Sequence, residues 1–116
     1  MRRFPNDADG DVLQNMWNEG DSLTQARDVD FSFVFATLAD AEAFAAKISD
    51  PCVAVDVYEF DEGDEAYPLG ATDVTVTRPM VPDYAEIRRL ERHWADIAET
   101  LGGYPDGWGC LRIVDR

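Results

Sequence analysis

The stretch Val29-Asp30-Phe31-Ser32-Phe33-Val34-Phe35 decides the fold. Val29, Phe31, Phe33 and Phe35 alternate with Asp30, Ser32 and Val34, which is the period of a strand with one buried face. Directly after it, Thr37-Leu38-Ala39-Asp40 has the spacing of a capping box: a hydroxyl to accept from the third helical amide and a carboxylate to reach back. A helix therefore starts there, with Leu38, Ala41, Phe44, Ala45 and Ile48 as its apolar stripe. Asp50-Pro51 ends it, because the residue before proline is pushed out of the helical region.

Working outward, Val53, Val55 and Val57 alternate as a second strand. Beyond an acidic loop from Asp61 to Gly70, the β-branched run from Asp73 to Met80 predicts a third. These two strands form a hairpin with a long tip. Pro82-Asp83 followed by Glu86 opens another helix, and Ile87, Leu90, Trp94, Ile97, Ala98 and Leu101 recur at helical spacing until Gly102-Gly103 stops them. The segment from Trp108 to Val114 predicts a closing strand, with Leu111 and Ile113 on one face and Trp108, Cys110 and Arg112 on the other. On the N-terminal side, Val12, Leu13, Met16 and Trp17 mark a short leading helix between Asp9 and Gly20.

The order is thus a helix followed by β-α-β-β-α-β. It predicts an α+β chain: a ferredoxin-like βαββαβ sandwich with an extra N-terminal helix and an antiparallel four-stranded sheet in spatial order fourth, first, third, second. At 116 residues, positions 1–116 are expected to form a single domain, the leading helix over about 9–19 and the sandwich over about 27–116. Cys52 and Cys110 then lie on opposite edge strands, beyond disulfide reach, and both are expected as free thiols.

If the helices cover Phe31, Phe33, Val55, Val76 and Leu111, then Val34, Tyr58, Phe60, Trp108 and Cys110 face the other way. The leading helix, through Leu13, Met16 and Trp17, is the expected cover for that second face, with a partner protein as the alternative.

Composition narrows the function classes. With 46% hydrophobic and 11% aromatic residues the chain can build a core, so a net charge of −14 does not imply disorder. That charge repels phosphate backbones, which bind cationic surfaces that release counterions, so direct nucleic-acid binding is disfavoured even though exposed aromatics on such a sheet can stack bases. No signal-like apolar segment or bilayer-length run occurs, which predicts a cytoplasmic protein with no membrane partner. The one histidine, His93, has no second histidine or cysteine at ligand spacing, so no metal site and no Cys-His pair is expected, and it reads as a half-exposed packing residue. No phosphate-binding or dinucleotide motif occurs, and no cofactor is implied. A hydrolytic enzyme would need two carboxylates converging on His93.

The densest charge cluster is Asp56, Glu59, Asp61, Glu62, Asp64 and Glu65. Its spacing is not that of a calcium loop. It suits either a solvated hairpin tip that blunts an edge strand or a docking surface for a basic protein partner. Arg88, Arg89 and Arg92 form a small basic patch on the last helix, for which internal pairing such as Arg92 with Asp96 is expected.

Tyr104-Pro105-Asp106-Gly107-Trp108-Gly109-Cys110, preceded by a long helix ending in Leu101-Gly102-Gly103, resembles the closing motif of the RraB family, bacterial regulators of ribonuclease E activity. Phe4-Pro5-Asn6-Asp7-Ala8-Asp9-Gly10-Asp11-Val12-Leu13, Val29-Asp30-Phe31, and Met80-Val81-Pro82 before Ile87 and Leu90-Glu91 extend the likeness over most of the chain. The resemblance implies a ferredoxin-like sandwich with an added helix and a non-enzymatic activity: binding the endoribonuclease and reducing its cleavage of RNA. It supplies no catalytic residue. Within the motif Asp106-Gly107 suits a tight turn, and Trp108 is either a structural anchor or a partner contact.

The expectation is an acidic regulator that docks Asp56, Glu59, Asp61, Glu62, Asp64, Glu65 and Trp108 onto a ribonuclease E-like enzyme or its scaffold. The alternative is a nucleic-acid mimic or immunity-type protein that occupies the basic groove of another partner.

Overall fold

The computed structural model describes residues 2–60, 67–68 and 70–116. Its elements are α1 (Ala8–Asn18), β1 (Arg27–Phe35), α2 (Leu38–Lys47), β2 (Ala54–Glu59), β3 (Thr72–Met80), α3 (Tyr84–Glu99) and β4 (Tyr104–Cys110). The strands form one antiparallel sheet in the order β2-β3-β1-β4, which is the predicted order read from the other edge. With three helices beside it, the chain has the α+β, ferredoxin-like arrangement. Cys52, just ahead of β2, and Cys110, in β4, accordingly lie at opposite edges as free thiols.

Each helix starts where a short polar side chain can satisfy an otherwise unpaired amide. Asp7 accepts from the Gly10 amide, Thr37 from that of Asp40 and Asp83 from that of Glu86. The core lies on the side of the sheet to which Val29, Phe31, Phe33 and Phe35 point, all buried. Trp94 of α3 meets Phe31 edge-on at 5.1 Å between ring centroids, and Phe44 of α2 packs at 5.2 Å from Phe33 and 5.1 Å from Phe35. Edge-to-face pairs at such distances add to the burial of large rings.

The leading helix joins this same side. Leu13 and Met16 belong to one core with Val29, Phe31 and Trp94, and Asp7 at the start of α1 ion-pairs with Arg88 of α3 at 3.2 Å. It therefore does not cover the second sheet face as expected from sequence. At its start the N-terminal segment lies directly against the first turn of α1: the Cβ of any larger residue at Gly10 would stand 1.8 Å from the Pro5 carbonyl oxygen.

The closing strand also differs from expectation, running from Tyr104 to Cys110 rather than from Trp108 to Val114. Pro105 and Asp106-Gly107 look like strand breakers in the sequence. Proline is tolerated at an edge strand, and the register shift opposite Phe31 and Phe33 absorbs Asp106-Gly107 as a bulge instead of a turn. Gly107 has φ of +104°, a backbone state that favours glycine. Leu111, expected in the core, is 82% exposed.

Candidate functional site

Register determines what the sheet face opposite the helices presents. Residues opposite one another in antiparallel strands share a face, and the face alternates along each strand. One row across the sheet reads Ala54, Thr77, Asp30, Gly109; the next, Asp56, Thr75, Ser32; a third, Tyr58, Asp73, Val34, Tyr104. Asp28, opposite Pro79, continues the face at one end. Asp28, Asp30 and Asp56 are exposed, and no Lys or Arg stands at a position of the four strands that faces this side.

The carboxylates sit among small residues. Thr77 donates to Asp30 at 2.5 Å and Thr75 to Asp73 at 2.7 Å. Asp28, Asp30 and Asp56 rim a depression of about 520 Å³ with Ala54 and Thr77 in its wall. Arg27 also lines it, but its guanidinium is held by Asp21, both side chains being almost wholly buried. Asp73, half-buried beside Tyr58, has its carboxyl pushed up from the ordinary range, first by burial and further by the nearby charge of Asp106, against the opposing Thr75 hydrogen bond.

An aromatic group closes the other end of the face. Tyr58 packs edge-on to Phe60 at 5.4 Å, and Phe60 stacks on Tyr67 at 4.0 Å. The Tyr67 hydroxyl donates to Asp106, which, with burial and the neighbouring acids, pushes the phenol up to about 12. Tyr58 and Tyr104 remain about half exposed, at 52% and 50%.

Of the residues singled out in the sequence, the described ones, Asp56, Glu59 and Trp108, do not share one face of the sheet. Asp56 and Glu59 are three apart on one strand and so point to opposite faces: Asp56 to the open side, and Glu59, opposite Thr72, to the helix side. Asp61, Glu62, Asp64 and Glu65 lie outside the described residues. Of the aromatic face drawn from the sequence, Val34, Tyr58 and Phe60 are on the open side. Trp108 and Cys110 are not: they stand opposite Phe31 and Val29 and face the helices. The half-buried Trp108 indole donates to Asp9 of α1 at 2.8 Å, and the Cys110 thiol lies 4.0 Å from the Met16 sulfur. Trp108 is thus a structural anchor for the leading helix. In the rest of the motif, Tyr104 reaches the open face, Asp106 holds Tyr67, Gly107 makes the bulge, and Gly109 stands opposite Asp30.

Asp28, Asp30 and Asp73 were not singled out by sequence reasoning, although Asp28 and Asp30 sit at the alternate positions of β1 that the phenylalanines leave free. On α3, Arg89 pairs with Glu86, which also takes Arg78 at 2.9 Å, while no ion pair joins Arg92 to Asp96 among the described residues. His93 is exposed rather than half packed. Among the described residues no group of three or more His, Cys, Asp or Glu side chains is placed to hold a metal ion, and no helix is long and apolar enough to cross a membrane.

The family model described as RraB, "Regulator of ribonuclease activity B", matches residues 6–110. No curated protein matches the chain.

Proposed function

The chain belongs to the RraB family, and from that premise we propose that it is a non-enzymatic regulator that binds a ribonuclease E-like endoribonuclease, or the scaffold around it, and modulates RNA cleavage. The family match over residues 6–110 is the observation that carries this reading. Charge is consistent with it: at −14 the molecule repels RNA and attracts a basic protein surface. A protein of this charge acts on RNA decay through the enzyme rather than through the transcript. Its acids steer encounter and select the partner, so association weakens as salt rises.

The test is titration of the purified chain into a ribonuclease E cleavage assay at low and at high salt, with binding followed in parallel. Binding and altered cleavage at low salt, both reduced at high salt, support the proposal. Neither binding nor any change in cleavage at low salt overturns it.

A further inference from the structure

We infer that the open sheet face is a receptor for an extended, arginine-rich polypeptide segment of a protein partner, its guanidinium groups taken by Asp28, Asp30 and Asp56 at one end and by Asp73 with Tyr58 and Tyr104 at the other. The inference deepens the ribonuclease reading by giving it a surface and a ligand chemistry, yet the two can fail separately.

Two independent features of the face point to the same group. The first is charge: three exposed carboxylates surround a depression of about 520 Å³, and the cation in its lining, Arg27, is already paired with the buried Asp21. The second is the pair of half-exposed tyrosines in the row of Asp73, at the far end of the same face. Carboxylates accept the paired N–H donors of a guanidinium, and aromatic faces stack on its plane, whereas a lysine ammonium offers neither a planar fork nor a stacking surface.

Spacing sets the shape of the ligand. From the row of Asp30 to the row of Val34 is four residues of strand, about 14 Å at roughly 3.4 Å per residue. An extended segment spans that distance with about four residues, whereas a helix needs about nine at roughly 1.5 Å each. On β1 and β3 the floor between the two ends is Ser32 and Thr75, small enough for a backbone to lie across it. A second copy of the chain is a poor occupant, because the same acidic face would meet itself and like charges repel.

The experiment uses the full chain and labelled octa-arginine, octa-lysine and a single-stranded RNA oligonucleotide of equal length, with anisotropy as the readout. Octa-arginine binds more tightly than octa-lysine, and the RNA does not bind. The triple variant Asp28→Asn/Asp30→Asn/Asp56→Asn weakens octa-arginine about tenfold, and Tyr104→Ala weakens it about two- to fivefold. A control triple, Glu42→Gln/Asp96→Asn/Glu99→Gln, removes the same number of charges from the helix side and leaves affinity within about twofold. Equal weakening by the two triples, equal affinity for the two peptides, or RNA binding overturns the inference. Peptide-induced shifts of backbone amide resonances in the unaltered chain decide the case without any variant. Shifts confined to the strands around Asp30, Asp56 and Thr77 support the inference, and shifts centred on α2 and α3 overturn it. A chain that binds octa-arginine here but leaves ribonuclease cleavage unchanged keeps this inference and loses the functional one.

Discussion

Asp21 is the most consequential buried charge in the molecule. It is fully buried after the end of α1, where it pairs with Arg27 at the start of β1, whose side chain is only 5% exposed. It also accepts from the Leu23 amide at 2.8 Å and from the Ile113 amide at 2.9 Å. Burial alone pushes its carboxyl up, but the Arg27 hydrogen bond and the two amides outweigh that and hold it at about 2. Arg27 in turn donates to the Leu111 carbonyl at 3.0 Å, so this one pair ties the segment after β4 to the junction between α1 and β1.

Asp21→Asn keeps the shape and one acceptor but leaves the Arg27 guanidinium uncompensated. Breaking a buried pair on one side costs about 3–5 kcal/mol. With one amide still served, a loss of about 3 kcal/mol is expected, or a melting point lower by on the order of 10 °C. Urea unfolding at neutral pH measures it. The double variant Asp21→Asn/Arg27→Met removes the orphaned cation and should be at least as stable as the single one. The acid limb supplies a second check. A carboxyl depressed from 3.8 to about 2 contributes stability that is complete above its unfolded value and disappears as pH falls through the folded one. The wild-type advantage over Asp21→Asn therefore shrinks by about 2 kcal/mol between pH of about 5 and about 2. A single variant within about 1 kcal/mol of wild type, or a double variant less stable than the single, would refute the argument.

Three further outcomes follow from local geometry. Gly10→Ala drives a methyl into the Pro5 carbonyl and should cost about 1–3 kcal/mol, with amide exchange in α1 rising more than in α2. Trp108→Phe removes the hydrogen bond to Asp9 while keeping an aromatic ring on the core, so a loss of about 1 kcal/mol in urea unfolding is expected. Cys52 is exposed, whereas burial pushes the half-buried Cys110 thiol up. A thiol reagent should thus label one cysteine quickly and the second only slowly until the chain is unfolded, and two equally fast thiols would contradict the placement of Cys110 against Met16.

The sheet and its helices were legible because the signals were redundant. β1 has alternation, α2 and α3 have both a cap and a stripe, and proline or glycine follows each of the three helices. Two features escaped for identifiable reasons. β4 was displaced because Leu111 and Ile113 mimic alternation, while Pro105 and Gly107, which stop a central strand, are acceptable in an edge strand that carries a bulge. The position of α1 was not readable from its own stripe. An amphipathic helix says that one side is buried, not which face of a sheet it meets, and here the decision is made by partners far along the chain: Arg88, Trp108 and Cys110.

The acids of the open face were not legible for a related reason. Density along the chain is not density in space: a strand sends Asp56 and Glu59 to opposite sides. Period two gathers a different set, Asp28, Asp30, Asp56 and Asp73, from three strands. How the sheet tolerates them is visible in the rows. Like charges directly opposite one another on neighbouring strands are destabilising, and none of these acids faces another. Asp30 is opposite Thr77 and Gly109, Asp56 is opposite Thr75, Asp28 is opposite Pro79, and Asp73 lies between Tyr58 and Val34. Threonine hydroxyls bind two of the four carboxylates directly. Each acid is therefore offset from the others by at least one row or one strand, which limits repulsion within the sheet. Their combined field toward solvent is retained, because Arg27, at the edge of the same depression, is held by Asp21. A sheet organised in this way is stable without a partner and still attracts a cationic one.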